Sequence, residues 1–124
     1  MAAPARLPGA GASRVTGAEK RKGDARERQA AAAIDDLLGV PARRMLGAGR
    51  ADDVGDIHGV PMTVIQVADW RDALRAVWEK PIEAETQRAN AGAVFAASWI
   101  WLPRRGFRVS LTPEQWATYA RESL

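Results

Sequence analysis

Cysteine is absent from the 124 residues. That excludes disulfides and thiolate chemistry, and it fits a reducing compartment. Long apolar runs are absent too: none approaches the roughly 20 residues that cross a bilayer, so no membrane contact is expected. The opening stretch MAAPARLPGAGASRVTG lacks an apolar signal core and a cleavage pattern, and a secreted product is not expected. Acid is missing from residues 1–17, which hold Arg6 and Arg14. The chain contains no internal repeat.

What remains is ordinary in bulk. An apolar fraction of 47% and a charged fraction of 27% suit one soluble domain with a single modest core. The net charge of +3 is unevenly spread. After the two arginines come Lys20, Arg21 and Lys22, then Arg43, Arg44 and Arg50, then Arg104, Arg105 and Arg108. Such clusters can track phosphates; solvated turns account for them equally well. Residues 1–17 are rich in Ala, Pro and Gly without periodicity. They read as an extended basic arm that cannot by itself offset its ordering entropy. The domain proper is expected over 18–124.

Within it, Ala18 to Leu38 reads as a helix with an apolar stripe at Ala30, Ile34, Leu37 and Leu38 and a stop at Gly39. Glu27 lies seven residues before Ile34, on the same inward stripe. Ala42 to Leu46 is a short strand, followed by the Gly-rich, acid-rich connection GAGRADDVG. Asp56-Ile57-His58 opens the next strand, and Gly59-Val60-Pro61 turns the chain. Met62 to Ala68 alternates, with Val64, Gln66 and Ala68 on one face and Thr63, Ile65 and Val67 on the other. Asp69 to Lys80 reads as a loop or irregular turn, and Pro81 as the start of a helix closed by Gly92. Ala93 to Trp101 is apolar on both faces, as a central strand should be. LPRRG turns into a partner strand with Phe107, Val109 and Leu111 in alternation. Thr112, Pro113 and Gln115 cap a last helix that carries Tyr119 and has Trp116 on its inner stripe. The order α-β-β-β-α-β-β-α is a mixed α/β domain, a sheet flanked by helices.

The stretch GDIHGVPMTVIQVADW raises the question of function. Hydrolysis of a phosphodiester at a metal needs carboxylates to hold Mg²⁺ and a cation to stabilise developing charge. Two residues at i and i+2 on a strand can supply both beside an acid from its neighbour. Here the acid is Asp56, and the strand offers Gln66 and Ala68. With KGDARERQAAAAIDDLLG, GAGRADDVGDIHGVPMTVIQVADW, QRANAGAVFAASWIW with PRRG, and VSLTPEQWATY, the chain resembles the PD-(D/E)XK nuclease superfamily. It is most similar to the small archaeal-type Holliday-junction resolvases and their relatives in phages of actinobacteria. The resemblance covers about residues 20–119 and implies a restriction-endonuclease-like fold. It implies that Glu27 is the first-helix glutamate, Asp56 the metal-binding aspartate and Gln87 a polar residue approaching the site. The superfamily's E-x-K pair falls on Gln66 and Ala68.

That is the departure that matters, because an amide offers a metal one neutral oxygen and alanine offers none. Losing one preorganised charge costs about 10²–10³ in rate, roughly 3–4 kcal/mol. Lys80, Arg71 and Arg88 are the candidates to replace the missing lysine, and Asp69 to be a displaced acid. His58 shares the face of Asp56 as a base or ligand, although a lone histidine is more often simply packed or solvated. Trp99 and Trp101 read as packing residues, and Trp70 and Trp78 as a contact surface for a partner. The expectation is a non-catalytic, nuclease-like scaffold that assembles as a homo-oligomer or with other virion proteins, such as a head-to-tail connector or neck component. No cofactor goes with it, and its location is the host cytoplasm during assembly, with the virion as a further location. Two alternatives stand beside it. One is a structure-selective endonuclease using Glu27, Asp56, Gln66 and Lys80, with Mg²⁺ on Asp56 and Gln66. The other is a pseudonuclease gripping DNA through Arg43, Arg44, Arg104 and Arg105.

Overall fold

The computed structural model describes residues 17–44 and 55–124. Residues 1–16 of the basic arm, Met45, Leu46 and nearly all of the GAGRADDVG connection, Arg50 included, lie outside the described residues. Helix α1 spans Gly17–Leu38. Gly39 ends it at φ 69°, donating its N–H to the Asp35 carbonyl at 2.7 Å. Ala30, Ala31 and Ile34 are buried against the sheet. Leu37 and Leu38, expected on that stripe, are exposed: among the described residues, the core contacts of α1 end at Ile34.

The strands are β1 (Arg43–Arg44), β2 (Ile57–His58), β3 (Thr63–Ala68), β4 (Phe95–Leu102) and β5 (Gly106–Ser110). They form one sheet in the order β1-β2-β3-β4-β5. β1, β2 and β3 pair antiparallel, β3 and β4 run parallel over six residue pairs, and β5 returns antiparallel to β4. The parallel pair needs a long crossover, and helix α2 (Ala73–Ala91) supplies it. At the β2–β3 turn Gly59 sits at φ 118°, where a Cβ would lie 2.4 Å from the Pro41 carbonyl oxygen. Only glycine lets that turn press against the chain entering β1.

Each face of the sheet has its own cover. On one, α1 packs on Ile57, Ile65 and Val67, with Trp99 and Phe107 alongside. Phe107 meets the Trp99 and Trp101 rings edge-on at 5.4 and 5.1 Å, the packing role expected of both tryptophans. On the other face Ala68 and Ile100 pack against Ala76 of α2.

Helix α2 corrects the sequence reading in two places. It begins eight residues early, at Ala73, capped by the Asp72 side chain accepting from the Arg75 N–H at 3.0 Å. Pro81 therefore lies inside it. An interior proline deprives the carbonyl four residues back of its donor. Here that carbonyl belongs to Val77, and the Ser110 hydroxyl donates to it at 2.6 Å. A strand distant in sequence thus repairs the break, which is why local rules place the helix start wrongly. Helix α3 (Pro113–Arg121) carries the expected capping box between Thr112 and Gln115, both bonds at 3.1 Å. Its buried residue is Gln115, whose amide donates to the Pro81 carbonyl at 2.9 Å. Trp116, expected inward, is exposed, because it stands one helical step away from that buried position.

Candidate functional site

Gln66 on β3 is 2% exposed and faces α2. Its Nε2 donates to Oε1 of Gln87, which is also buried. Its Oε1 accepts from the Lys80 Nζ at 3.1 Å, and that ammonium also reaches Glu83 Oε1 at 3.0 Å. Of the three cations considered as replacements for a strand lysine, Lys80 is thus the one bonded to Gln66. The spacing that brings it there is helical: Lys80 and Gln87, seven residues apart, share one side of α2. The Trp70 ring lies 5.3 Å from Nζ and 4.9 Å from the Arg75 guanidinium carbon. Trp70 is therefore partly buried beneath cations rather than displayed for a partner.

Two residues along β3, Ala68 is 3% exposed, with Ala76 and Ile100 at 0% beside it. The position to which the resemblance would assign a lysine is packed core. Opposite Gln66 in the β3–β4 register stands Ser98, wholly buried, its hydroxyl without a hydrogen-bond partner. Sequence reasoning passed over Ser98; a lone hydroxyl inside the apolar run FAASWIW is the signal that could have marked it.

Asp56 precedes β2 and clasps β3. Its N–H donates to the Ile65 carbonyl at 2.7 Å, and its Oδ2 accepts from the Val67 N–H at 2.8 Å. Asp69 is engaged elsewhere: its carboxylate, 4% exposed, meets Arg26 at 2.8 Å and Lys22 at 3.4 Å. Arg26 also lies 4.0 Å over the Trp101 ring. Arg26 did not stand out in the sequence and Lys22 stood out only as part of a basic cluster, because their ion pairs with Asp69 form only when the end of β3 approaches α1. Glu27 is likewise occupied, accepting from Arg44 Nε at 3.1 Å, while the same guanidinium reaches Asp24 at 2.7 Å. This joins a residue expected in the catalytic set to one expected on DNA.

Arg88 bonds Glu85 at 2.5 and 2.8 Å and the Ala93 carbonyl at 2.8 Å. The Arg88 hydrogen bond holds the Glu85 carboxyl below the usual glutamate range, against a smaller opposing effect of burial, and Glu85 in turn raises the Arg88 value. Arg71, Arg43 and His58 are exposed. So are Arg104, Arg105 and Arg108 around the β4–β5 turn, none of them in a salt bridge with a described carboxylate.

A hard dication needs several anionic oxygens. Among the described residues no three His, Cys, Asp or Glu side chains cluster to hold a metal. The side-chain oxygen of Gln66 already faces the Lys80 ammonium, which repels a second cation. These residues do not fit Mg²⁺. What the cluster does is close polar bonds between β3 and α2. Comparison with protein-family models, curated proteins and solved structures found no match.

Proposed function

We propose that the chain is a restriction-endonuclease-like scaffold without hydrolytic activity, which acts by assembly through its surfaces. The observation that carries this reading is the ammonium of Lys80 on the oxygen of Gln66, where a nuclease of the resembled superfamily would present a carboxylate to a metal. The buried Ala68 supports it, since no lysine has room there. So does the element order, α-β-β-β-α-β-β-α, about a mixed sheet. The virion setting, in a head-to-tail connector or neck, follows from the resemblance alone.

The test is incubation of the full chain with branched and duplex DNA and Mg²⁺ or Mn²⁺, beside Asp56→Ala. No cleavage is the expected result. Metal-dependent cleavage abolished in the variant would overturn the reading and return Asp56, Gln66 and Lys80 to a catalytic role.

A second reading, a DNA-binding pseudonuclease, draws on Arg104, Arg105 and Arg108, exposed together around one hairpin turn. Arg44 drops out of that group, being held by Glu27 and Asp24. Binding by this hairpin would weaken steeply with salt, the logarithmic slope being about −0.9 per phosphate neutralised. Charge reversal at Arg104 and Arg105 would lower that slope.

A further inference from the structure

Two non-glycine residues among those described hold a left-handed φ: Met62 at 56° and Arg104 at 64°. That conformation crowds the Cβ against the backbone, so a side chain there is strained. At Met62 the fold offsets the strain. The Met62 carbonyl accepts from the N–H groups of Val94 and Phe95, each at 2.9 Å, and so ties the turn before β3 to the start of β4. Arg104 has no such bond among the described residues.

Arg104 lies in the turn between β4 and β5. The Arg105 N–H donates to the Leu102 carbonyl at 2.9 Å, closing a four-residue turn of Leu102, Pro103, Arg104 and Arg105. Proline in its second place and a positive φ in its third make this a type II turn, whose third place suits glycine. Arginine stands there instead. Strain held without an offsetting contact gathers at functional positions.

The surroundings say what this tip meets. Pro103, Arg104 and Arg105 are all exposed. Arg108 turns back on its own hairpin, its Nη1 donating to the Arg105 and Phe107 carbonyls at 3.2 and 2.8 Å. The guanidinium groups left to face outward are those of Arg104 and Arg105. A protein partner would need an apolar centre, and the exposed tip offers only Pro103. A single nucleic-acid strand would need rings on which bases stack. Trp101 and Phe107, the rings flanking the turn, pack on each other, and Arg26 lies over Trp101. The exposed Trp78 and Trp116 belong to α2 and α3. A duplex backbone asks for neither: arginine forks fit its phosphate oxygens without reading bases.

We infer that the strained turn holds Arg104 beside Arg105 against the phosphodiester backbone of a nucleic-acid duplex. The inference rests on the DNA-binding reading and deepens it, assigning the contact to the two turn arginines and to phosphates rather than bases.

The test reads binding and stability on the same variants of the full chain. Binding is followed by fluorescence anisotropy with a labelled DNA duplex, an RNA duplex and single-stranded DNA over a range of salt. Stability is the midpoint of urea unfolding. Arg104→Gly should weaken duplex binding about tenfold or more, equally for unrelated sequences, and lower the salt slope by about one. The same variant should raise the urea midpoint. Arg104→Ala removes the guanidinium but keeps the strain, so it should weaken binding equally without raising the midpoint. Binding to either duplex supports the inference, and the tighter of the two identifies the source of the phosphates. Duplex binding untouched by both variants would overturn it, as would tighter binding to the single strand. Weakened binding with equal midpoints for glycine and alanine would also overturn it, while leaving the DNA-binding reading in place. Failure of the wild-type chain to bind any of the three would remove both and leave the scaffold reading.

Discussion

A hydroxyl 33 residues downstream decides where α2 is allowed to begin. Because Ser110 supplies the donor that Pro81 withholds from Val77, the two residues are coupled although they do not bond each other. Ser110→Ala should cost about 1–2 kcal/mol by leaving that carbonyl unpaired. In a Pro81→Ala background the carbonyl recovers a backbone donor, so the same substitution should cost clearly less. A urea double-mutant cycle reads the difference, and equal costs would show that Ser110 is not repairing the helix. Ala68 offers the complementary test. Ala68→Lys, which puts in the lysine the resemblance would assign there, pushes an ammonium into a site closed by Ala76 and Ile100. It should destabilise by about 3 kcal/mol or more. A well-folded variant that gained Mg²⁺-dependent cleavage would show the site open and the scaffold reading false. At this scale the sequence was legible where chemistry is local. The shared face of Gln66 and Ala68 could be read off period-two alternation. The engagement of Asp69 with Lys22 and Arg26, and of Glu27 with Arg44, was not legible, because those contacts join residues 17 to 47 positions apart.

Among the elements, those with signals at their own ends were found: α1 by Gly39, α3 by its capping box, and the end of α2 by Gly92 at φ 67°. The start of α2 was missed because a proline is a strong local sign, and the tertiary bond that overrules it leaves no trace nearby. The far end of α2 is clipped to its neighbours by Glu85, bonded to Arg88 and, at 3.4 Å, to Gln115 of α3. With the Glu85 carboxyl held below its ordinary value in the folded chain, folding favours the deprotonated form. Its contribution is present above the usual glutamate range and is lost as pH falls through the depressed value. Glu85→Gln should therefore lower stability at neutral pH and leave it nearly unchanged at low pH, which flattens the acid limb of a stability–pH profile measured by thermal unfolding. An unchanged acid limb would show that the clip does not contribute. Tyr119, raised above its ordinary value by burial, belongs to the opposite limb and would not interfere.

For the molecule as a whole, α/β class and element order were legible from hydrophobic period and turn residues, as was an interior strand near Ala93 to Trp101, which is β4 at Phe95–Leu102 between β3 and β5. The depth of the polar cluster between β3 and α2 was not: the resemblance implied that Gln87 approaches the site, but the burial of Gln66, Gln87 and the Ser98 hydroxyl depends on how α2 crosses the sheet. One further property follows from the strand order. Because β1 to β5 lie across the sheet in the order in which they occur in the chain, synthesis adds each strand to a neighbour already made. The exception in timing is β3, whose outer side waits through the whole of α2 before β4 leaves the ribosome. During that interval the segment TVIQVA presents bare amides and carbonyls, the kind of open edge that invites pairing with another nascent chain. Ribosome-bound chains arrested before Phe95 should be sensitive to protease and prone to co-aggregate. Arrest far enough beyond Leu102 for β4 to clear the exit tunnel should give the first resistant core.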